Sequence, residues 1–576
     1  MSLENWSEDV ALKYLQTVVV IDDGLLIGAE GLRHATEESL ETVDPLSVDL
    51  AEVEAEGDSG SGGDRSGGAN GGFAGDALEG EALLRGFAEQ GLVCGLLTPS
   101  TQDELQEIKD GTTYKRLFAR ADVMVLDWSL AGDEGLTTRA LIQNLIGQPT
   151  GQLGRLRLIC VYTNHPDLER IQKELVSDLK SLGVTHGVPD TSKVGWVIQA
   201  DDFRISILGK MGVSRPPHFA ISEVSEGDLP VKIVKEFAQA VHGLMPGLAL
   251  NSLAILRDNA PLLLQRFNGD LDPAFVSHEL LTGQGKRFAV QLISREIQTI
   301  LEAVDAGSVL SLGNIKSWAR AKIAEGNHGS PQVKIGSVRK FDKAAIIETL
   351  SQDDFSVQKL RELPPVEGAM IGKARLASLS SLFLSEEDAL QSDEHLGRLS
   401  CLSRGLHNDY AGAKSPTLQL GTILALPSAD ANRVAQGLSD EGHLEYWLCL
   451  QALCDSERVH EPRGFPLIPL RETQQGADFD FLVLDRRGAR RTLSAVARPF
   501  QMKVVEFAPS PGEDVVRTRK QGGDFTFVDV AAREWYWVAE LRAEHALRVS
   551  HQMASLISRI GLDESEWLRL SGSNKR

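Results

Sequence analysis

Five polar residues stand at the ends of short apolar runs. Asp22 and Asp23 follow Val18-Val19-Val20-Ile21, Asp127 follows Val123-Met124-Val125-Leu126, Thr163 follows the run 158–162, and Lys210 follows the run 205–208. Three carboxylates, one hydroxyl and one ammonium brought together suit phosphoryl transfer to a carboxylate. Carboxylates at close quarters repel unless a cation neutralises them, and Mg2+, hard and oxygen-seeking, meets that need. In this reading Asp127 is the nucleophile, and Asp22, Asp23 and Asp127 hold the metal. The Thr163 hydroxyl and the Lys210 ammonium bind the phosphoryl oxygens as charge spreads over them. Lys193 competes with Lys210, because the gap from Thr163 to Lys210 is long.

Whether these groups converge depends on the elements that carry them. The runs are short, rich in β-branched residues and without alternation, as expected of strands buried on both faces; residues 92–97 form another. Helical periodicity fills the intervals 81–90, 102–120, 137–146 and 167–182. Strands alternating with helices predict a parallel sheet covered on both faces, and such sheets bind ligands at the carboxyl ends of their strands. The expected fold is α/β: a doubly wound, parallel, five-stranded domain over residues 1–245.

The motifs Val-Val-Val-Ile-Asp22-Asp23, Val-Met-Val-Leu-Asp127, Cys-Val-Tyr-Thr163 and Ile-Leu-Gly-Lys210 resemble the receiver domain of two-component response regulators. The resemblance covers roughly residues 15–245. It implies a flavodoxin-like fold, phosphorylation by a histidine kinase and a switch in the opposite face. The chain departs from the family pattern in three places. Asp127 is followed by Trp-Ser-Leu-Ala-Gly-Asp without the usual Pro, Lys210 precedes Met211, and Ile205, Ile207 and Leu208 replace the switch aromatic. These departures bear on the output mechanism more than on the fold. The whole chain is also similar to bacterial proteins in which an atypical receiver precedes a long further region. That similarity, carried by residues 446–458 and 559–569, implies a GHKL-type sensor ATPase as partner in a defence-type system.

The formal charge of the 576-residue chain is -22, and it is unevenly spread. From Glu30 to Glu81 there are fourteen Asp or Glu and two Arg, a net of -12. Within it, residues 57–80 hold ten glycines and one aromatic, Phe73. Such a stretch cannot bury enough apolar surface to offset the entropy of ordering it, so a disordered acidic insertion is expected at about 30–80, beside Asp22 and Asp23. The remaining charge is ordinary and gives no global attraction to nucleic acid or anionic membrane.

Beyond residue 245 a mostly helical middle region is expected at 246–415, followed by an α+β region at 416–576. Strand patterns occur at 422–426, 446–450, 479–484, 502–507 and 525–530, and Arg486 to Arg491 reads as a hairpin loop. An amphipathic helix is expected from about Trp537 to Ile560, stopped by Gly561. Arg486, Arg487, Arg490, Arg491, Arg517, Arg519 and Lys520 make the one basic cluster, a candidate patch for nucleic acid or an acidic partner. Cys449, Cys454 and His460 invite a zinc reading, but the spacing is wide and no second pair exists, so buried strand cysteines are expected instead. Five cysteines make no disulfide framework, no secretory signal or spanning segment is evident, and a cytoplasmic location is expected. Two other classes of function compete with the phosphoacceptor: an interaction scaffold for a sensor ATPase, and a nucleic-acid-acting C-terminal effector.

Overall fold

The computed structural model describes residues 3–26, 78–99, 101–110, 115–146, 157–189, 191–200, 203–325, 332–334, 340–352, 356–364, 366, 380, 383–407, 410, 413–427, 444–473 and 478–557. Most of the expected acidic insertion, residues 27–77, lies outside them. The chain divides into two units, Met1–Ala321 and Lys322–Arg576.

In the first unit the strands are β1 (Thr17–Ile21), β2 (Val93–Leu97), β3 (Val123–Leu126), β4 (Arg157–Thr163), β5 (Trp196–Gln199) and β6 (Phe203–Lys210). They form one sheet in the order β2-β1-β3-β4-β6-β5. All pairings are parallel except β5 with β6. The helices around the sheet are α1 (Leu3–Tyr14), α2 (Gly80–Glu89), α3 (Gln102–Asp110), α4 (Lys115–Arg120), α5 (Leu136–Ile146), α6 (Leu168–Ser181) and α7 (Leu229–Ala240). The expected doubly wound fold is present. It carries two more strands than the five expected: β5, which runs antiparallel along the outer edge of β6, and the two-residue Glu223–Val224, which runs parallel to the end of β6.

The apolar runs follow from burial on two faces. Val19, Ile21, Met124, Leu126, Ile159, Val161, Ile205 and Ile207 enter one core, with side chains from α3 to α6. Val18, Val20, Val123, Val125, Leu158, Cys160, Tyr162 and Leu208 enter the other, with α1, α2 and α7. Each such aliphatic side chain contributes about 1.5–3 kcal/mol when fully buried, so these strands tolerate almost no polar residue. The exception is the end of the sheet under α7. There Arg204 donates through Nε and Nη2 to Glu236 Oε2 at 3.0 and 2.8 Å, and the Ser206 hydroxyl donates to the same oxygen at 2.7 Å. Both charged side chains are almost fully excluded from solvent.

The insertion is closed at its base, because Leu25–Leu26 pairs in parallel with Leu78–Glu79. The chain therefore departs and returns at one place, a two-stranded pairing of its own just past Asp22 and Asp23. Helix α1 packs on α7 and on α8 (Leu244–Asp258). Its Trp6 Nε1 donates to Val309 O at 3.1 Å, and Arg257 Nη1 donates to Tyr14 O at 2.7 Å. Further helices, Ala260–Arg266, Asp272–Thr282, Gly285–Ala303 and Leu312–Glu325, make the middle region helical as expected. Among the described residues no single helix is long and apolar enough to cross a membrane.

The second unit is built on a ten-stranded sheet. Its strands are β7 (Leu402–Gly405), β8 (Thr422–Pro427), β9 (Leu444–Cys449), β10 (Arg463–Glu472), β11 (Phe481–Leu484), β12 (Arg490–Ala495), β13 (Lys503–Phe507), β14 (Arg519–Gln521), β15 (Asp524–Val528) and β16 (Glu534–Leu541). The order is β11-β12-β10-β9-β8-β16-β15-β14, with β7 on β16 and β13 on β10, and all pairs are antiparallel. Helices Glu386–Cys401 and Ala543–Ile557 accompany it.

Trp537 corrects one expectation. It lies inside the strand β16, and the closing helix starts only at Ala543. The reason is that β16 is central and buried on both faces, with Trp535 and Trp537 in one core and Val538, Ala539 and Leu541 in the other. A run apolar on all sides carries no periodicity to separate strand from helix. Gly561, the expected stop, lies outside the described residues. Strand β10 is unexpected because it contains Pro466 and Pro469. Neither can donate, and neighbours use their carbonyls instead: Leu450 N donates to Pro466 O at 2.9 Å and Val496 N to Pro469 O at 3.0 Å.

Candidate functional site

The parallel strands end at one edge of the sheet, and four of the five expected residues stand there in or just past a strand end. Asp22 follows β1, Asp127 follows β3, Thr163 ends β4 and Lys210 ends β6. Backbone bonds continue the ladder one step beyond the strands, with Asp127 N donating to Ile21 O at 2.9 Å and Asp22 N to Leu97 O at 3.2 Å.

Lys210 and the two buried carboxylates form the centre. Lys210 Nζ lies 2.8 Å from Asp22 Oδ2 and 3.7 Å from Asp127 Oδ1, and all three side chains are largely withdrawn from solvent. Asp22 Oδ1 accepts from Gly24 N at 2.8 Å. Burial raises the Asp127 carboxyl strongly; Lys210 opposes that rise, while the charges of Asp22 and Asp23 add to it, leaving the group at about 7. Lys193 stands in the short helix Thr191–Val194, and its side chain lies outside those described.

Asp23 is exposed at the rim, where Oδ2 accepts from Ala131 N at 2.7 Å. It thus holds the loop after β3 instead of joining Asp22 and Asp127. Thr163 is buried on the strand between those carrying Asp127 and Lys210, and its hydroxyl accepts from His165 N at 3.1 Å. In charge the set fits a divalent cation, since two buried carboxylates face one ammonium and Asp23 at the rim adds its charge, which together with that of Asp22 helps hold Asp127 up. Among the described residues no three carboxylate, imidazole or thiol groups meet as a ready set of metal ligands.

The loop after Asp127 is fixed by its own side chains. Thr138 Oγ1 donates to Asp127 O at 2.6 Å, and Asp133 accepts from Gly135 N and Thr137 N at 3.0 and 2.7 Å. Trp128, which replaces nothing the sequence pattern foresaw, is buried and lies against Gly135. A Cβ at Gly135 would sit 2.4 Å from the indole, on a backbone with φ of 92° that side chains rarely adopt. Gly135→Ala is therefore expected to destabilise the first unit by about 1–3 kcal/mol. Urea unfolding followed by tryptophan fluorescence would measure it, and an unchanged midpoint would show that the loop has room.

Residues 14–215 match the family model described as the response receiver domain. The N-terminal part of the chain is a receiver domain. No curated protein and no solved structure matches the chain. The receiver assignment places the chain in two-component-type signalling at a coarse level, and residues beyond 215 lie outside the match. The receiver also contains a residue that sequence reasoning missed: Arg215, whose guanidinium is buried between the ends of β4 and β6. It lies in a segment without periodicity, before Pro216 and Pro217, and its Arg-Pro-Pro context signals only a turn.

The other candidates lie in the second unit. The Arg486–Arg491 loop is the β11–β12 turn, anchored by Asp485, which accepts from Arg487 N, Ala489 N and the Arg491 guanidinium at 2.8–2.9 Å. Arg491 also pairs with Glu472, Arg490 with Glu394, Arg486 with Asp524 and Arg517 with Glu513. Much of the cluster's charge is thus met within the chain. Cys449 is buried in β9 as expected, whereas Cys454 is exposed in the one-turn helix Leu453–Ser456, because the chain turns away from the sheet after Cys449. His460 faces Asp514 at 3.1 Å.

Proposed function

We propose that the receiver accepts a phosphoryl group on Asp127 and that this event controls the region beyond it. The observation that carries the reading is the Lys210 ammonium set between Asp22 and Asp127 at the carboxyl edge of a parallel sheet. An Asp127 carboxylate oxygen attacks phosphorus in a phosphohistidine or acyl phosphate, and the bond from phosphorus to the leaving nitrogen or oxygen breaks. Lys210 and the Thr163 hydroxyl are placed to meet the phosphoryl oxygens. Asp22, Asp23 and Asp127 are the residues that would hold Mg2+, whose chemistry is to neutralise the transferred group's charge. The natural donor is a histidine kinase or a GHKL-type sensor ATPase. The rise of the Asp127 carboxyl, caused by burial and by its acidic neighbours beside Lys210, supports this reading.

The test is incubation of the full chain with labelled acetyl phosphate and Mg2+. One hydroxylamine-sensitive label per chain is expected, and none in Asp127→Asn. Absence of label, both from this donor and from a cognate kinase, would sink the reading.

A scaffold role for a sensor ATPase is favoured by one observation: Asp23 is committed to the Ala131 N–H. Under that reading Asp127→Asn leaves partner binding and cellular function intact.

A further inference from the structure

We infer that Arg215 is the positioning residue that sets Thr163 and Lys210 in register around Asp127. The inference rests on the phosphoacceptor reading of that site.

The Arg215 side chain has no exposed surface. Its guanidinium is divided among backbone carbonyls from two neighbouring strand ends. Nη2 donates to Thr163 O at 2.8 Å, Nε to His165 O at 3.1 Å and Nη1 to Lys210 O at 2.7 Å. Two of these carbonyls belong to the residues whose hydroxyl and ammonium face the site. The β4–β6 ladder stops at the pair Thr163 and Gly209, so beyond it the two strand ends are no longer fixed by the backbone pairing of that ladder. Arg215 takes that place, with three donors in a rigid planar fork.

The neighbouring sequence accommodates this. A Cβ at Gly209 would lie 2.7 Å from Arg215 Nη1, so the strand gives up a side chain where the guanidinium passes. Among the described residues its counter-charge is Glu223, at 3.5 Å and partly exposed. Burying a guanidinium against carbonyls with so distant a counter-charge is costly, and the return is geometric. The fork also links the site to the following segment, because Glu223–Val224 pairs with Gly209–Lys210 and Val224 O accepts from the Tyr162 hydroxyl at 3.0 Å. A lysine at 215 would carry the charge but span at most part of the three carbonyls.

The test uses the full chain with Arg215→Lys and Arg215→Met. Phosphoryl uptake from acetyl phosphate with Mg2+ is expected to slow about tenfold to a hundredfold in both. The Mg2+ concentration giving half-maximal rate should move little, since Asp22, Asp23 and Asp127 are untouched. Amide hydrogen exchange at residues 163–167 and 209–212, measured without donor or metal, should accelerate in both variants. Wild-type uptake in a folded Arg215→Lys protein overturns the inference, and so does slowed uptake with unchanged exchange at both strand ends. If Arg215→Met does not fold, Arg215→Lys decides. If the wild type takes up no phosphoryl group at all, the phosphoacceptor reading fails on its own; the exchange data then decide whether Arg215 holds the strand ends, and unchanged exchange overturns that too.

Discussion

Asp127→Asn is expected to abolish phosphoryl uptake, by roughly three orders of magnitude or more, and at the same time to stabilise the protein at neutral pH. The first effect follows from removing the attacking oxygen. The second follows from the burial of a carboxyl that sits near two others. In the unfolded chain this group loses its proton near pH 4, whereas in the folded chain it does so at about 7. Between those values the folded state binds the extra proton, so stability falls as pH rises. Above pH 7 the wild type carries the whole cost of a buried, crowded charge, and the amide carries none. In metal-free buffer the variant should be the more stable by on the order of 2 kcal/mol at pH 8, with the difference fading below pH 4. Urea midpoints across that range measure it. Parallel profiles for the two proteins would mean that Asp127 is solvated, and would remove the electrostatic argument for the site.

Arg204→Met is expected to cost about 3–5 kcal/mol, because it leaves Glu236 buried with only Lys232 and the Ser206 hydroxyl to meet its charge. Burial opposes ionisation of Glu236, but Arg204, Lys232 and Ser206 outweigh it and hold the carboxyl below its ordinary value. Such a group adds stability above its unfolded value, and that stability is lost as pH falls through the folded value. The gap between wild type and variant should therefore narrow in acid. Replacing both partners, Arg204→Met with Glu236→Leu, should recover most of the loss, since an apolar pair of similar volume has no desolvation to offset. If the single variant denatures at the wild-type urea concentration, α7 is held to β6 by its apolar contacts alone.

The site was readable in the sequence to the extent that burial wrote it there. Strands β1, β3, β4 and β6 are covered on both faces, so each is an apolar run that must end where the sheet meets solvent, and Asp22, Asp127, Thr163 and Lys210 mark those ends. The side-chain directions were not readable. Asp22 and Asp23 are adjacent, yet one turns inward to Lys210 and the other outward to the Ala131 N–H. Arg215 acts on carbonyls, which every residue has, so no pattern of residue types announces it. Strand β5 is four residues long, too short for a period to show. Helix α1 buries Trp6, Val10 and Ala11, with Leu15 just past its end, at a helical spacing that the sequence carries but that so short a segment shows only weakly. Trp537 failed for the opposite reason, since full burial erased the contrast that separates strand from helix.

The closed base of the insertion has a consequence for how this protein can change over evolutionary time. Because Leu25–Leu26 and Leu78–Glu79 pair in a small sheet of their own, the fold registers only where the excursion begins and ends, not what it contains. Closure entropy grows only slowly with length, by about 0.6 kcal/mol per doubling. The segment between can therefore lengthen, shorten or be exchanged for another sequence with little effect on the fold that carries it. Sequence can thus change beside Asp22 and Asp23 while the strands that hold them stay the same.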